Sequence, residues 1–156
     1  MRMLICHDGT LTSALEARSL TPVVVEVQSQ EPVRLDRSQA RLMAALAGHS
    51  GIRRRVLIRE RDTGHLLVQA QSILLPERLP AAFGATIALA DKGLGAALSR
   101  LALEYRRELL WFGRGSFDPL PATDTHPHDR DAIVRSYRLI SGGRPISLVE
   151  ERFPLC

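Results

Sequence analysis

The sequence predicts an α+β fold built on an antiparallel sheet. Five or six segments carry the β-branched and alternating patterns of strands. Most are joined to a neighbour by a short turn, as hairpins. The helical segments between them are short and do not alternate strictly with strands, which argues against a doubly wound parallel sheet. At 156 residues the chain suits one domain, spanning 1–156, with a single sizeable core.

The elements follow in order. Asp8-Gly9-Thr10 is a turn, and Leu11, Ala14 and Leu15 recur at helical spacing behind Thr10 or Thr12 as cap. Pro22 opens the strand Val23-Val24-Val25-Glu26-Val27. Asp36 with Gln39 three residues on is a capping-box pattern; Leu42, Met43, Leu46 and Ala47 form the helix stripe and Gly48 is the expected stop. Residues 53–61 and 65–75 form a hairpin around Asp62-Thr63-Gly64. Pro76 and Pro80 break the strand pattern. Residues 84–102 read as two short helices meeting near Asp91-Lys92-Gly93. Residues 103–112 read as a strand ending at Trp111-Phe112, with a helical start as the alternative, and Gly113-Arg114-Gly115-Ser116 reads as a turn. The stretch 117–130, with its prolines, histidines and aspartates, is a surface loop. Residues 132–140 and 145–153 form a second hairpin around Ser141-Gly142-Gly143-Arg144.

Composition narrows the function. The chain is 45% hydrophobic and 24% charged, ordinary for a globular protein and unlike a disordered or collagen-like one. No apolar run approaches the roughly 20 residues of a membrane span, so no membrane partner is expected. The net charge is +4, and nearly all the positive charge is arginine, with Lys92 the one lysine. Such a surplus reflects either a biased codon pool or an anion site, because guanidinium grips carboxylate or phosphate through two parallel hydrogen bonds. Aromatic residues are 4% of the chain, too few for base-stacking platforms, so no nucleic-acid partner is expected. Cys6 and Cys156 stand apart with no CxxC, and the apolar start is too short for a signal peptide. Reduced thiols and a cytoplasmic location are the expectation.

Strand alternation sorts the candidate residues. In Arg53-Arg54-Arg55, Arg54 shares its face with Val56 and Ile58, which look core-facing. A cation there needs an anion, either a protein carboxylate or a ligand carboxylate. On the last strand Glu151 shares a face with Val149 and Phe153, while Glu150 sides with Leu148 and Arg152. Glu151 is the expected inward carboxylate, able to bind a substrate hydroxyl, serve as general acid or pair with a core arginine. His126-Pro127-His128-Asp129 with Asp124 has metal-binding residue types but no recognised spacing, and reads as polar loop. No GxSxG is present, so a nucleophile elbow is not indicated. Arg114, between two glycines, could present its guanidinium to an anion.

The ordered set of motifs resembles the chorismate pyruvate-lyase family, in particular its compact bacterial branch. Gly9-Thr10-Leu11-Thr12 comes first, then Arg54 with Val56-Leu57-Ile58, then the segment from His65 to Pro80 with Ala81-Ala82. Leu94-Gly95, Trp111 through Gly113, Tyr137 through Ile146 and Glu151-Arg152-Phe153 follow. The resemblance covers nearly the whole chain. It implies a six-stranded antiparallel sheet with helical flaps over a buried ligand cavity. It implies a carbon–oxygen lyase that takes pyruvate from chorismate and leaves 4-hydroxybenzoate, without cofactor or metal, as a monomer or small homo-oligomer. On the matching positions it implies that Arg54 holds the ring carboxylate, that Glu151 sits by the ring hydroxyl and breaking ether, and that Leu11 and Leu94 line the pocket and offer backbone N–H groups. Arg114 is the looser match for the pyruvyl carboxylate. An extra residue between Pro145 and the glutamate, relative to the larger branch, leaves Glu150 as the alternative to Glu151. The other readings are a non-catalytic module of the same fold that binds a small aromatic acid, as in GntR-like regulators, and a lyase giving another hydroxybenzoate isomer. The chain lacks room for a helix-turn-helix domain before Pro22, which favours the enzyme.

Overall fold

The computed structural model describes residues 11–88, 93–117 and 131–155. Its centre is a six-stranded antiparallel sheet. The elements run α1 (Leu11–Ser19), β1 (Val23–Arg34), α2 (Arg37–Leu42), β2 (Ser50–Glu60) and β3 (Leu66–Leu74). A single 3-10 turn at Pro76–Arg78 follows, then α3 (Phe83–Ala88), α4 (Leu94–Arg100), β4 (Arg106–Ser116), β5 (Asp131–Ser141) and β6 (Arg144–Pro154). The strand order is β1-β2-β3-β6-β5-β4, so β2–β3 and β5–β6 are the hairpins and β1 and β4 are the edges. Pro32 fits its place on an edge strand, opposite Ile52.

One face of the sheet carries most of the core. Helix α1 packs Leu15 against Val23, Val56, Ile58, Val68 and Phe153. Helices α3 and α4 pack Phe83, Ile87, Ala97 and Leu98 against Leu74, Tyr137, Leu139 and Val149. The helices thus cover the two ends of one sheet face, and the floor between them carries Arg54, Ser72 and Glu151 among its apolar side chains. On the opposite face α2 packs Ala40 and the adjoining Met43 against Ile73 and Leu75.

Two elements depart from expectation. Helix α2 keeps its capping box, Asp36 accepting from the Gln39 amide at 2.8 Å and Gln39 returning the bond at 3.1 Å. It ends at Leu42, however, before Gly48. Ala44 turns left-handed at φ 46°, Met43 is fully buried and Leu46 is 81% exposed. Arginines stop the helix by taking its last carbonyls. Arg138 Nη1 donates to Leu42 O at 2.7 Å, Arg78 Nη1 to Met43 O at 2.6 Å and Arg78 Nη2 to Ala44 O at 3.0 Å. The second departure is at Gly113–Ser116, which is not a turn but the end of β4, paired with Val134 through Asp131. The expected loop of 117–130, beyond Phe117, lies outside the described residues, as do Cys6, Cys156, His126 and His128.

Candidate active site

Register brings the site together. On the helix-covered face, Arg54 lies opposite Ser72 and Val56 opposite Ala70. Ala70 and Ser72 in turn lie opposite Glu151 and Val149. Glu151 and Val149 face Arg135 and Tyr137 across β5–β6. All of these but Arg135 form the floor of a cavity whose walls include Leu11 and Thr12 of α1, Gly93 through Ala96 at the start of α4, and Tyr105 and Arg107 at the start of β4.

Glu151 is the centre of this floor and is 3% exposed. Arg135 Nε donates to its Oε2 at 2.6 Å, and the Tyr137 hydroxyl donates to its Oε1 at 2.7 Å. Both donors are themselves buried. The Arg135 guanidinium lies between the rings of Tyr137 and Phe153, 5.4 and 5.5 Å from their centroids. Burial first, and then the Glu151 charge, push the Tyr137 phenol well above its ordinary value, so it stays a donor. Each carboxylate oxygen has two lone pairs, so Glu151 keeps acceptor capacity toward the cavity.

Arg54 is 2% exposed, and burial works against its charge. A guanidinium so placed gains from an anion delivered into the cavity. The first turns of α1 and α4 line the same space, and the leading N–H groups of a helix lack partners within it.

The expected residues Arg54, Glu151, Leu11 and Leu94 therefore share one cavity. Glu150 does not: it pairs with Arg152 at 2.7 Å on the opposite face. Arg114 does not join them either. It lies opposite Ile133 near the end of an edge strand, its side chain is exposed, and it is no part of the lining. The cation at that side of the cavity is Arg107, whose guanidinium carbon stands 4.5 Å from the centroid of the Tyr137 ring. Sequence reasoning passed over Arg107, Arg135 and Tyr137. A signal existed for the last two: in Ile133-Arg135-Tyr137-Leu139, alternation puts both on the apolar face, and the β5–β6 turn sets Arg135 opposite Glu151.

Residues 5–156 match the family model described as Chorismate pyruvate-lyase Rv2949c-like. A chorismate pyruvate-lyase of Mycobacterium tuberculosis is 29% identical over 156 residues, covering 98% of this chain and 78% of the relative. One from Mycobacterium leprae is 26% identical over 159 residues, covering 98% and 73%. Among solved structures, PhnF of Mycobacterium smegmatis superposes with a TM-score of 0.76 at 12% identity; the match covers 96% of this chain but only 65% of PhnF. A GntR-family transcriptional regulator of Bacillus cereus gives 0.62 at 10% identity, covering 85% and 91%. At such identity these structures speak for the fold alone.

Proposed function

The chain belongs to the Rv2949c-like chorismate pyruvate-lyase family, and from that membership we propose that it removes pyruvate from chorismate to leave 4-hydroxybenzoate. In this reaction the ether bond between the ring and the enolpyruvyl group breaks. The ring carbon bearing the hydroxyl loses its hydrogen, and the methylene carbon of the departing group gains a proton to become the methyl of pyruvate. Atoms balance without water, oxidant or cofactor, and aromatisation of the ring drives the step.

The observation that carries this reading is the pairing of a buried cation and a buried carboxylate in one cavity. Arg54, with the first turns of α1 and α4, holds the ring carboxylate. Glu151 then meets the ring hydroxyl and the ether. Because Arg135 and Tyr137 fix both of its oxygens, Glu151 does not have to reorganise as the ether breaks. The protein's contribution is positioning and preorganised charge.

Purified protein incubated with chorismate is expected to release pyruvate and 4-hydroxybenzoate in equal amounts, followed by chromatography. A different hydroxybenzoate would overturn the product assignment. Pyruvate no faster than the spontaneous background would overturn the enzyme. It would favour a binding module of the same fold.

A further inference from the structure

Two serines are buried on the helix-covered face, and they are placed differently. Ser147 lies between Leu74 and Leu139, is fully enclosed, and its hydroxyl has no hydrogen-bond partner among the described residues. It stands outside the cavity lining. Ser72 is 8% exposed and belongs to the cavity floor. The described residues supply its hydroxyl with no hydrogen-bond partner either. A hydroxyl withdrawn from bulk water and left unpaired is unfavourable, and an acceptor brought in by a ligand relieves that cost. Resting on the reading above, we propose that Ser72 is a further substrate-binding residue, whose hydroxyl donates to the ring carboxylate that Arg54 holds.

Register decides which end of the ligand the hydroxyl meets. Ser72 on β3 lies directly opposite Arg54 on β2, whereas Glu151 on β6 lies opposite Ala70, the next position along the same face. Directly opposed side chains start about 5 Å apart and diagonal ones about 7–8 Å. The hydroxyl therefore belongs with the cation and not with the carboxylate. A bound carboxylate has two oxygens with two lone pairs each, so it can take a guanidinium and a hydroxyl at once. Strand β3 is also the low part of the floor, because Ala70 and Ser72 are small and have Val56 and Val149 opposite them. A flat ring lying across β3 reaches from β2 to β6, two strand steps or about 10 Å. Its carboxylate then stands over Arg54 and Ser72 and its hydroxyl points to Glu151. A donor from beneath, added to Arg54 and the helix starts, fixes the tilt of the ring.

The test titrates 4-hydroxybenzoate and benzoate calorimetrically into wild type, Ser72→Ala and Ser147→Ala, and records the thermal melting of each unliganded protein. Ser72→Ala is expected to raise the Kd of 4-hydroxybenzoate about tenfold, the fold-change of one hydrogen bond to a charged group, and that of benzoate by the same factor. Its unliganded melting temperature should not fall, because the hydroxyl removed has no protein partner to lose. Ser147→Ala should leave both Kd values within about twofold. An unchanged Kd in Ser72→Ala overturns the assignment. So does a fall in its unliganded melting temperature, which marks a structural hydroxyl, or an equal loss of affinity in Ser147→Ala, which marks a general effect on packing. A loss confined to 4-hydroxybenzoate would move the contact to the other end of the ring and overturn it as well. Wild-type protein that binds 4-hydroxybenzoate without turning chorismate over ends the lyase reading, and the titrations still decide Ser72. Wild-type protein that binds neither acid overturns both.

Discussion

At the scale of single residues the centre of the protein is Glu151, and its two donors make different predictions. Replacing Glu151 removes the carboxylate that buried Arg135 pairs with at 2.6 Å, and breaking comparable buried pairs costs about 3–5 kcal/mol. Glu151→Gln is therefore expected to lower turnover about 100-fold or more and to lower the melting temperature as well. Glu150→Gln, on the other face with Arg152, should leave turnover within about twofold. The reverse ranking in kinetic assays would move the catalytic carboxylate to Glu150. Tyr137 makes a pH prediction. Its phenol is raised above 10 in the folded protein, so above that pH the unfolded chain loses this proton while the folded one keeps it. The unfolded state then binds fewer protons, and stability falls as pH rises. The contribution is fully present below about pH 10. Tyr137→Phe, which also removes a donor from Glu151, is expected to cost about 1–3 kcal/mol at neutral pH. Urea titrations should find the gap between wild type and Tyr137→Phe constant at neutral pH and narrowing as pH rises past about 10; a constant gap throughout would refute the linkage.

At the scale of elements, local chemistry made much of the fold legible and left two kinds of feature unread. The capping box at Asp36, the hairpin through Asp62-Thr63-Gly64 and the Gly142-Gly143 turn all announce themselves in a few adjacent residues. Both turn glycines take positive φ. Helix α2 was overextended because its stop comes from Arg78 and Arg138, 35 and 96 residues away, which no local pattern records. Gly113-Arg114-Gly115 looked like a turn because glycine is the common turn residue. Here the glycines make room instead. A Cβ on Gly115 would stand 2.6 Å from Cγ2 of buried Val134, and one on Gly113 would stand 2.6 Å from the outer ring of half-exposed Trp111. Valine on a strand has few rotamers to yield, whereas the Trp111 ring can swing toward solvent. Gly115→Ala is therefore expected to destabilise by about 1–3 kcal/mol and Gly113→Ala by less. Denaturant unfolding that ranks them the other way would contradict this packing. Arg54 and Glu151 were readable because alternation sets a charge among apolar neighbours. Arg107 was not, because β4 alternates weakly and has a bulge between Leu109 and Trp111.

At the scale of the whole molecule, the arginine surplus divides into three uses. Some arginines cap backbone, as Arg78 and Arg138 do at the end of α2. Some pair across the open sheet face, as Arg59 does with Glu26 and Arg53 with Glu31, contacts worth little each. On the helix-covered face Arg54 and Arg107 line one cavity, and Arg135 pairs with Glu151 of its floor. That face is held shut by three short helices packed on the two ends of the sheet, so a ligand that fills the middle joins two hydrophobic clusters that otherwise meet around charged side chains. Binding of this kind must stabilise the fold, because the unfolded chain has no such cavity. At a ligand concentration about 100 times Kd the gain is about 2.7 kcal/mol. A domain of this length converts each kcal/mol into about 2–4 °C, so the melting temperature is expected to rise by about 5–10 °C with 4-hydroxybenzoate. The rise should grow with the logarithm of ligand concentration and vanish in Arg54→Ala, while Arg114→Ala should keep it in full. A melting temperature indifferent to 4-hydroxybenzoate, or a shift that survives Arg54→Ala, would remove the cavity floor as the site where the ring carboxylate is held.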